Sequence, residues 1–211
     1  PGDLKPELML AWELGWLGNW LDRRLSLDLK AFREEIRKEI TAIPGLAPEP
    51  FPNGALILGN GPGVNITGLE GQLQYRPSPR NLASLQFSVA DADDRFDPAS
   101  TGRAPEAGRT PQLTLSLLLA HTFKNDLQFS LGYYHIDAMR WQGGGEVALG
   151  KPPLPAYDRV DLRLAKQLHW PERDVLLEFI AQNVGNEAYA EFRADNRFET
   201  RYFVRASAQF N

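Results

Sequence analysis

The 211 residues contain no cysteine. That excludes a disulfide framework, a thiolate zinc site and a cysteine nucleophile. It also suits a chain that crosses an oxidising compartment. Apolar types make up 43% of the chain, yet no 18 of them run together. A transmembrane helix is therefore excluded. A transmembrane β-barrel is not, because its strands alternate and look polar on average. A cationic excess is missing too: 23 Lys and Arg stand against 27 Asp and Glu, for a net charge of −4. Nothing here marks a nucleic-acid footprint. The opening Pro1-Gly2-Asp3-Leu4-Lys5-Pro6-Glu7 has no basic segment followed by an apolar core. A secretory signal is not visible, so a membrane reading expects this chain to be a portion of a longer protein.

What is present is alternation. Tyr202, Val204, Ala206, Ala208 and Phe210 are apolar, and Arg201, Arg205, Ser207 and Gln209 interleave with them. Period two means a strand with one apolar and one wet face. Phe203 alone breaks the polar set, and is expected to face the lumen near the outer rim. The same pattern recurs upstream. Leu25, Leu27 and Leu29 oppose Ser26, Asp28 and Lys30; Leu69, Leu73 and Tyr75 oppose Glu70, Gln72 and Gln74. Leu113, Leu115, Leu117 and Leu119 share a face, as do Leu127, Phe129, Leu131 and Tyr133.

Nine strands are predicted: Leu8–Trp16, Arg24–Phe32, Val64–Arg76, Leu82–Ala90, Pro111–Phe123, Leu127–Trp141, Tyr157–Trp170, Val175–Asn183 and the closing strand from Arg201. Arg33 to Ile40 reads equally as a short helix or as a strand continuing past a membrane. Gly18-Asn19, Pro77 to Asn81, Lys124 to Asp126 and Pro171 to Asp174 are turn sequences. Pro44 to Pro62, Asp91 to Thr110, Gln142 to Ala156 and Gly185 to Thr200 are loops. Short turns thus follow the odd strands and longer loops the even ones. Outer-membrane barrels sort their connections this way, whereas a sandwich has no reason to. Trp16, Trp20, Tyr75, Trp141, Tyr157, Trp170 and Tyr202 fall near strand ends, where an interfacial belt places aromatics. The fold class expected is all-β, an antiparallel up-and-down meander of transmembrane barrel strands.

Four motifs carry a family resemblance. Leu4-Lys5-Pro6-Glu7 with Glu13-Leu14-Gly15 resembles the LKPE and ELG signature of TonB-dependent outer-membrane receptors. Asn65, Gly68 and Glu70 are similar to their N-x-x-G-x-E strand. Asn183, Asn186 and Tyr189 resemble their NL-x-N-x-x-Y motif, and the strand ending at Phe210 resembles their terminal strand. The family usually ends on the aromatic itself, whereas Asn211 follows here. The resemblance implies the C-terminal part, residues 1–211, of a 22-stranded barrel whose plug domain lies elsewhere. It implies active transport of a scarce nutrient of the ferric siderophore, haem or cobalamin class into a Gram-negative bacterium. TonB would act through the plug, outer-membrane lipid and lipopolysaccharide would surround the wall, and no cofactor or catalytic group is required. Ligand contacts are then expected from Arg140, Trp141, Phe192, Arg193 and Arg197, since arginine matches anionic ligands and aromatics stack on flat ones.

Chemistry beyond this is sparse. His121, His135 and His169 are too far apart in sequence for a local metal motif. Ser130 and His135 have opposite parity on one strand and cannot form a hydrolase pair. Asp91, Asp93, Asp94 and Asp97 offer oxygen ligands for calcium, but lack the glycine turn and distal glutamate of an EF-hand loop. Two other architectures remain. A soluble β-sandwich binding module would have to cover the leucine rows with a second sheet. A smaller porin or outer-membrane enzyme would have to close on itself, which an odd strand count opposes.

Overall fold

In a computed structural model of the chain, residues 4–43, 57–95, 107–140, 153–171, 173–191 and 195–210 are described. They form β1 (Leu8–Trp20), β2 (Leu25–Arg37), β3 (Ile40–Ile43), β4 (Ile57–Asn60), β5 (Val64–Ser78), β6 (Asn81–Asp94), β7 (Leu113–Thr122) and β8 (Leu127–Ile136). The chain continues through β9 (Tyr157–Trp170), β10 (Arg173–Gln182), β11 (Tyr189–Ala190), β12 (Arg197–Phe198) and β13 (Arg201–Phe210). Nine strands make one sheet in the order β1-β2-β5-β6-β7-β8-β9-β10-β13. Every pairing in it is antiparallel. The sheet is a meander, and the short ladders β3-β4 and β11-β12 stand apart from it. The nine expected strands are its nine members.

Register turns the alternation into two continuous surfaces, because residues opposite one another across a ladder share a face. One row runs Leu27–Leu73–Leu85–Leu117–Tyr133–Val160 across six strands. The row on the opposite face, starting one residue along, runs Asp28–Gln72–Gln86–Ser116–Tyr134–Arg159. The first surface exposes Leu69, Val89, Leu119, Phe129, Leu164, Leu177, Phe179 and Val204. Among the described residues no second sheet covers it, which disfavours the sandwich. Among the described residues buried apolar side chains are few, and Leu154, Tyr157, Tyr189 and Ala190 place several of them by the long connections.

Several boundaries differ from the sequence expectation, each for a local reason. β1 continues to Trp20, and the turn moves to Leu21, Asp22 and Arg23, whose φ values are 53, 54 and 64°. Gly18 stays extended under the Trp20 ring. Arg33 to Arg37 is strand, not helix: Ile36 pairs with Val64 and Glu35 with Asn65. β6 runs on through Asp91 to Asp94, which were expected in a loop. β8 ends at Ile136, short of Trp141, where Met139 bridges to Leu154 instead. β3 lies just before the stretch expected as the loop Pro44 to Pro62, and its partner β4 lies inside it.

Tyr157 also departs from expectation. It was assigned to an interfacial belt, but it lies on the polar face with Arg159 and Arg163 and is only 6% exposed. Its ring stacks on Tyr189, centroids 4.4 Å apart. Trp20, Tyr75 and Trp170 do lie on the apolar face beside the short turns. Trp141 lies outside the described residues.

Candidate functional site

The polar face carries two charge networks. In the first, Lys30 on β2 reaches Glu70 on β5 at 3.0 Å and Glu13 on β1 at 3.7 Å. Three neighbouring strands are thereby cross-linked by one ammonium. In the second, Glu178 on β10 is the centre. Its Oε1 accepts from Arg163 Nε at 2.8 Å, and its Oε2 accepts from Arg205 on β13. Arg163 also donates to Gln128 Oε1 on β8 at 3.2 Å. Glu178 is 3% exposed, so two guanidiniums offset the cost of desolvating it. Sequence placed Lys30, Glu70 and Arg205 on polar strand faces and Glu13 in a motif, but joined none of these groups into a network. The signal was there: each charge occupies a polar-face position of a strand whose flanking positions are apolar, as Arg163 does between Leu162 and Leu164.

Nearer the long connections lies a cluster of arginine and aromatic rings. The Arg159 guanidinium sits 4.4 Å over the Tyr134 ring and 5.9 Å from that of Tyr189. It donates to the Tyr189 hydroxyl at 3.2 Å and approaches Asp161 and Glu191 at 3.3 and 3.5 Å. Tyr189 stacks on Phe198 at 5.5 Å, and Arg201 lies 5.1 Å over Phe198. Cation–π and ion-pair contacts together fix a half-buried cation that either alone would hold loosely.

The motif residues have structural duties here. Asn183 and Asn186 adopt left-handed backbone, φ 54 and 52°, which asparagine tolerates well. Asn183 N–H donates to Asp161 Oδ1 at 3.0 Å, and its Nδ2 donates to the Glu187 carbonyl at 2.9 Å. The Thr200 hydroxyl lies 2.6 Å from the Asn183 carbonyl and 2.9 Å from Asn186 Oδ1. The two asparagines therefore clamp both ends of the loop that delivers Tyr189 to Arg159. Glu7 Oε2 accepts from Ile40 N–H at 3.0 Å, fastening β3 to the start of β1, and Pro6 precedes it. Asn60 grips the Lys5 backbone from both sides at 2.7 Å. Gly68 is required because a Cβ there would meet the Phe32 ring and the Val89 carbonyl. Asn65 Oδ1 accepts from Arg95 at 3.2 Å. Gly15 pairs with Lys30 on the polar face.

Of the expected ligand contacts, Arg140 N–H donates to the Gly108 carbonyl at 2.6 Å and its side chain is exposed. Arg197 is exposed on β12. Trp141, Phe192 and Arg193 lie outside the described residues. The acidic group does not converge: Asp91 and Asp93 share the apolar-face parity, while Asp94 points to the polar face and accepts from Ala107 N–H at 3.2 Å. Asp97 lies outside the described residues, and among those described no three acidic or histidine groups gather as metal ligands. Ser130 and His135 do face opposite sides.

An antiparallel meander with one lipid-compatible face and one charged, hydrated face is a segment of transmembrane barrel wall. Residues 1–184 match the family model described as TonB dependent receptor-like, β-barrel, and the chain belongs to that family. Among solved structures, it resembles the ferric-catecholate import receptor Fiu of E. coli K12, with 19% identity and a TM-score of 0.72 over 99% of this chain and 28% of that one. The siderophore receptor PiuA of Acinetobacter baumannii matches at 18% and 0.70, over 96% of this chain and 28% of its own. The ferric yersiniabactin uptake receptor FyuA of Yersinia pestis matches at 14% and 0.65, over 96% and 29%. The chain thus spans under a third of the length of these relatives. No curated protein matches it by sequence.

Proposed function

We propose that residues 1–211 form the C-terminal part of the wall of an outer-membrane receptor. It imports a ferric siderophore or a ligand of the haem or cobalamin class, in a Gram-negative bacterium. The plug that TonB engages belongs to the remainder of that receptor. The observation that carries the ligand reading is the rim cluster: Arg159 and Arg201 among Tyr134, Tyr189 and Phe198, on the lumen face beside the long connections. Cations with stacked aromatics suit an anionic, flat ligand. Ferric complexes of catecholate siderophores combine negative charge with flat aromatic rings, and Arg140, Trp141, Phe192, Arg193 and Arg197 are proposed to complete the approach from the loops. The long connections face outward and the short turns face the periplasm.

The test is uptake of radiolabelled iron on a panel of siderophores by cells lacking the complete receptor gene, with and without its restoration. Restoration of uptake for one ligand, abolished when TonB is deleted, is expected. Equal uptake with and without the gene across the panel overturns the reading.

A further inference from the structure

At the short-turn end of the apolar face lies a groove of about 290 Å³, lined by Tyr75, Ala83, Leu119, His121 and Phe129 among others. Its floor follows from register. Tyr75, Ala83, Leu119 and Leu131 stand in one row, so alanine is the low point between a tyrosine and a leucine. Tyr75, Leu119 and Phe129 are about 40% exposed as its walls. The next row toward the turns is Asn81, His121 and Phe129. There the apolar lining ends in a polar pair, His121 Nδ1 and Asn81 Oδ1, 2.6 Å apart. Phe123 meets the His121 ring edge-on at 4.4 Å and buttresses it.

Charge supplies the second half of the site. Arg80 and Lys124 sit in the two turns that flank this end of the groove, joined through the Thr122 N–H to Arg80 carbonyl bond of 2.9 Å. Both side chains are exposed, and neither has an ion-pair or hydrogen-bond partner among the described residues. Apolar walls, a polar step and two uncommitted cations in the adjoining turns match an amphiphile with an anionic head.

We propose that this groove holds one anionic glycerophospholipid of the periplasmic leaflet. An acyl chain lies on Ala83 between Tyr75 and Leu119, and the phosphate sits by His121, within reach of Arg80 and Lys124. This goes beyond nutrient uptake and rests only on the apolar face meeting lipid with its short turns toward the periplasm.

The test uses the complete receptor, purified in mild detergent, with the folded barrel verified by heat-modifiable migration. Native mass spectrometry after incubation with phosphatidylglycerol is expected to show one retained lipid per barrel. Phosphatidylethanolamine is retained several-fold less, and inorganic phosphate does not compete. Ala83→Leu fills the floor and removes the adduct. Arg80→Gln with Lys124→Gln lowers retention about tenfold or more, as two surface cations facing anionic lipid imply. The paired turn variant decides the matter if Ala83→Leu does not fold. Absence of an adduct, equal retention of both lipids, or undiminished retention in the variants overturns the proposal. A receptor that imports no siderophore still gives one of these results, so the two readings fail separately.

Discussion

Asn183 is held at its backbone N–H, its carbonyl and its side-chain amide, in a left-handed conformation. Asn183→Ala removes the Glu187 bond and puts a poorly suited residue at positive φ. The expected loss is about 1–3 kcal/mol, with faster proteolysis of the loop after β10 in the complete receptor. Asn183→Gly keeps the backbone and is expected to lose less. Gly68 makes a steric prediction instead: Gly68→Val drives a side chain into Phe32 and should lower stability by about 1–3 kcal/mol in urea unfolding.

Between strands, the decisive contacts run across the ladder. Glu178 ties β9, β10 and β13 together through Arg163 and Arg205. Glu178→Gln leaves two cations without their anion. We expect a loss of about 1–3 kcal/mol, below the cost in a dry interior because Arg205 is well exposed to water. Arg205→Gln should cost less than Glu178→Gln, since Arg163 still pairs with the acid; urea midpoints of both variants check the order. Strand identity and facing were legible wherever a leucine row met a polar row, as at Leu113 to Leu119. They were not legible at Arg33 to Ile40, because Ile36 and Ile40 also satisfy a helical spacing. The turn after β1 was misplaced because Gly18-Asn19 is good turn chemistry, and only the Trp20 ring over Gly18 shows why the strand passes through it. Tyr157 could have been placed correctly from the parity of Val160, Leu162 and Leu164. The rim cluster could not, since Tyr189 reaches Arg159 through a loop whose path the alternation does not encode.

At the scale of the molecule, nine antiparallel strands leave β1 and β13 running in the same direction, so they cannot close on each other as an antiparallel ladder. The 211-residue chain alone should therefore show no heat-modifiable barrel band in detergent electrophoresis, whereas the complete receptor should. Free edges would instead drive association. Within the wall, each main-sheet strand pairs with the preceding or following strand of that sheet, separated in sequence by no more than one connection and its small hairpin. Loop-closure entropy then differs only modestly between steps, by about 0.6 kcal/mol for each doubling of the connection. Strands can be added one after another without waiting for a distant segment, as low contact order favours rapid folding. Only the seam where the first and last strands of a closed barrel meet would demand a long-range encounter, so a substitution that weakens that seam is expected to slow assembly more than one at any ladder of the nine-stranded sheet.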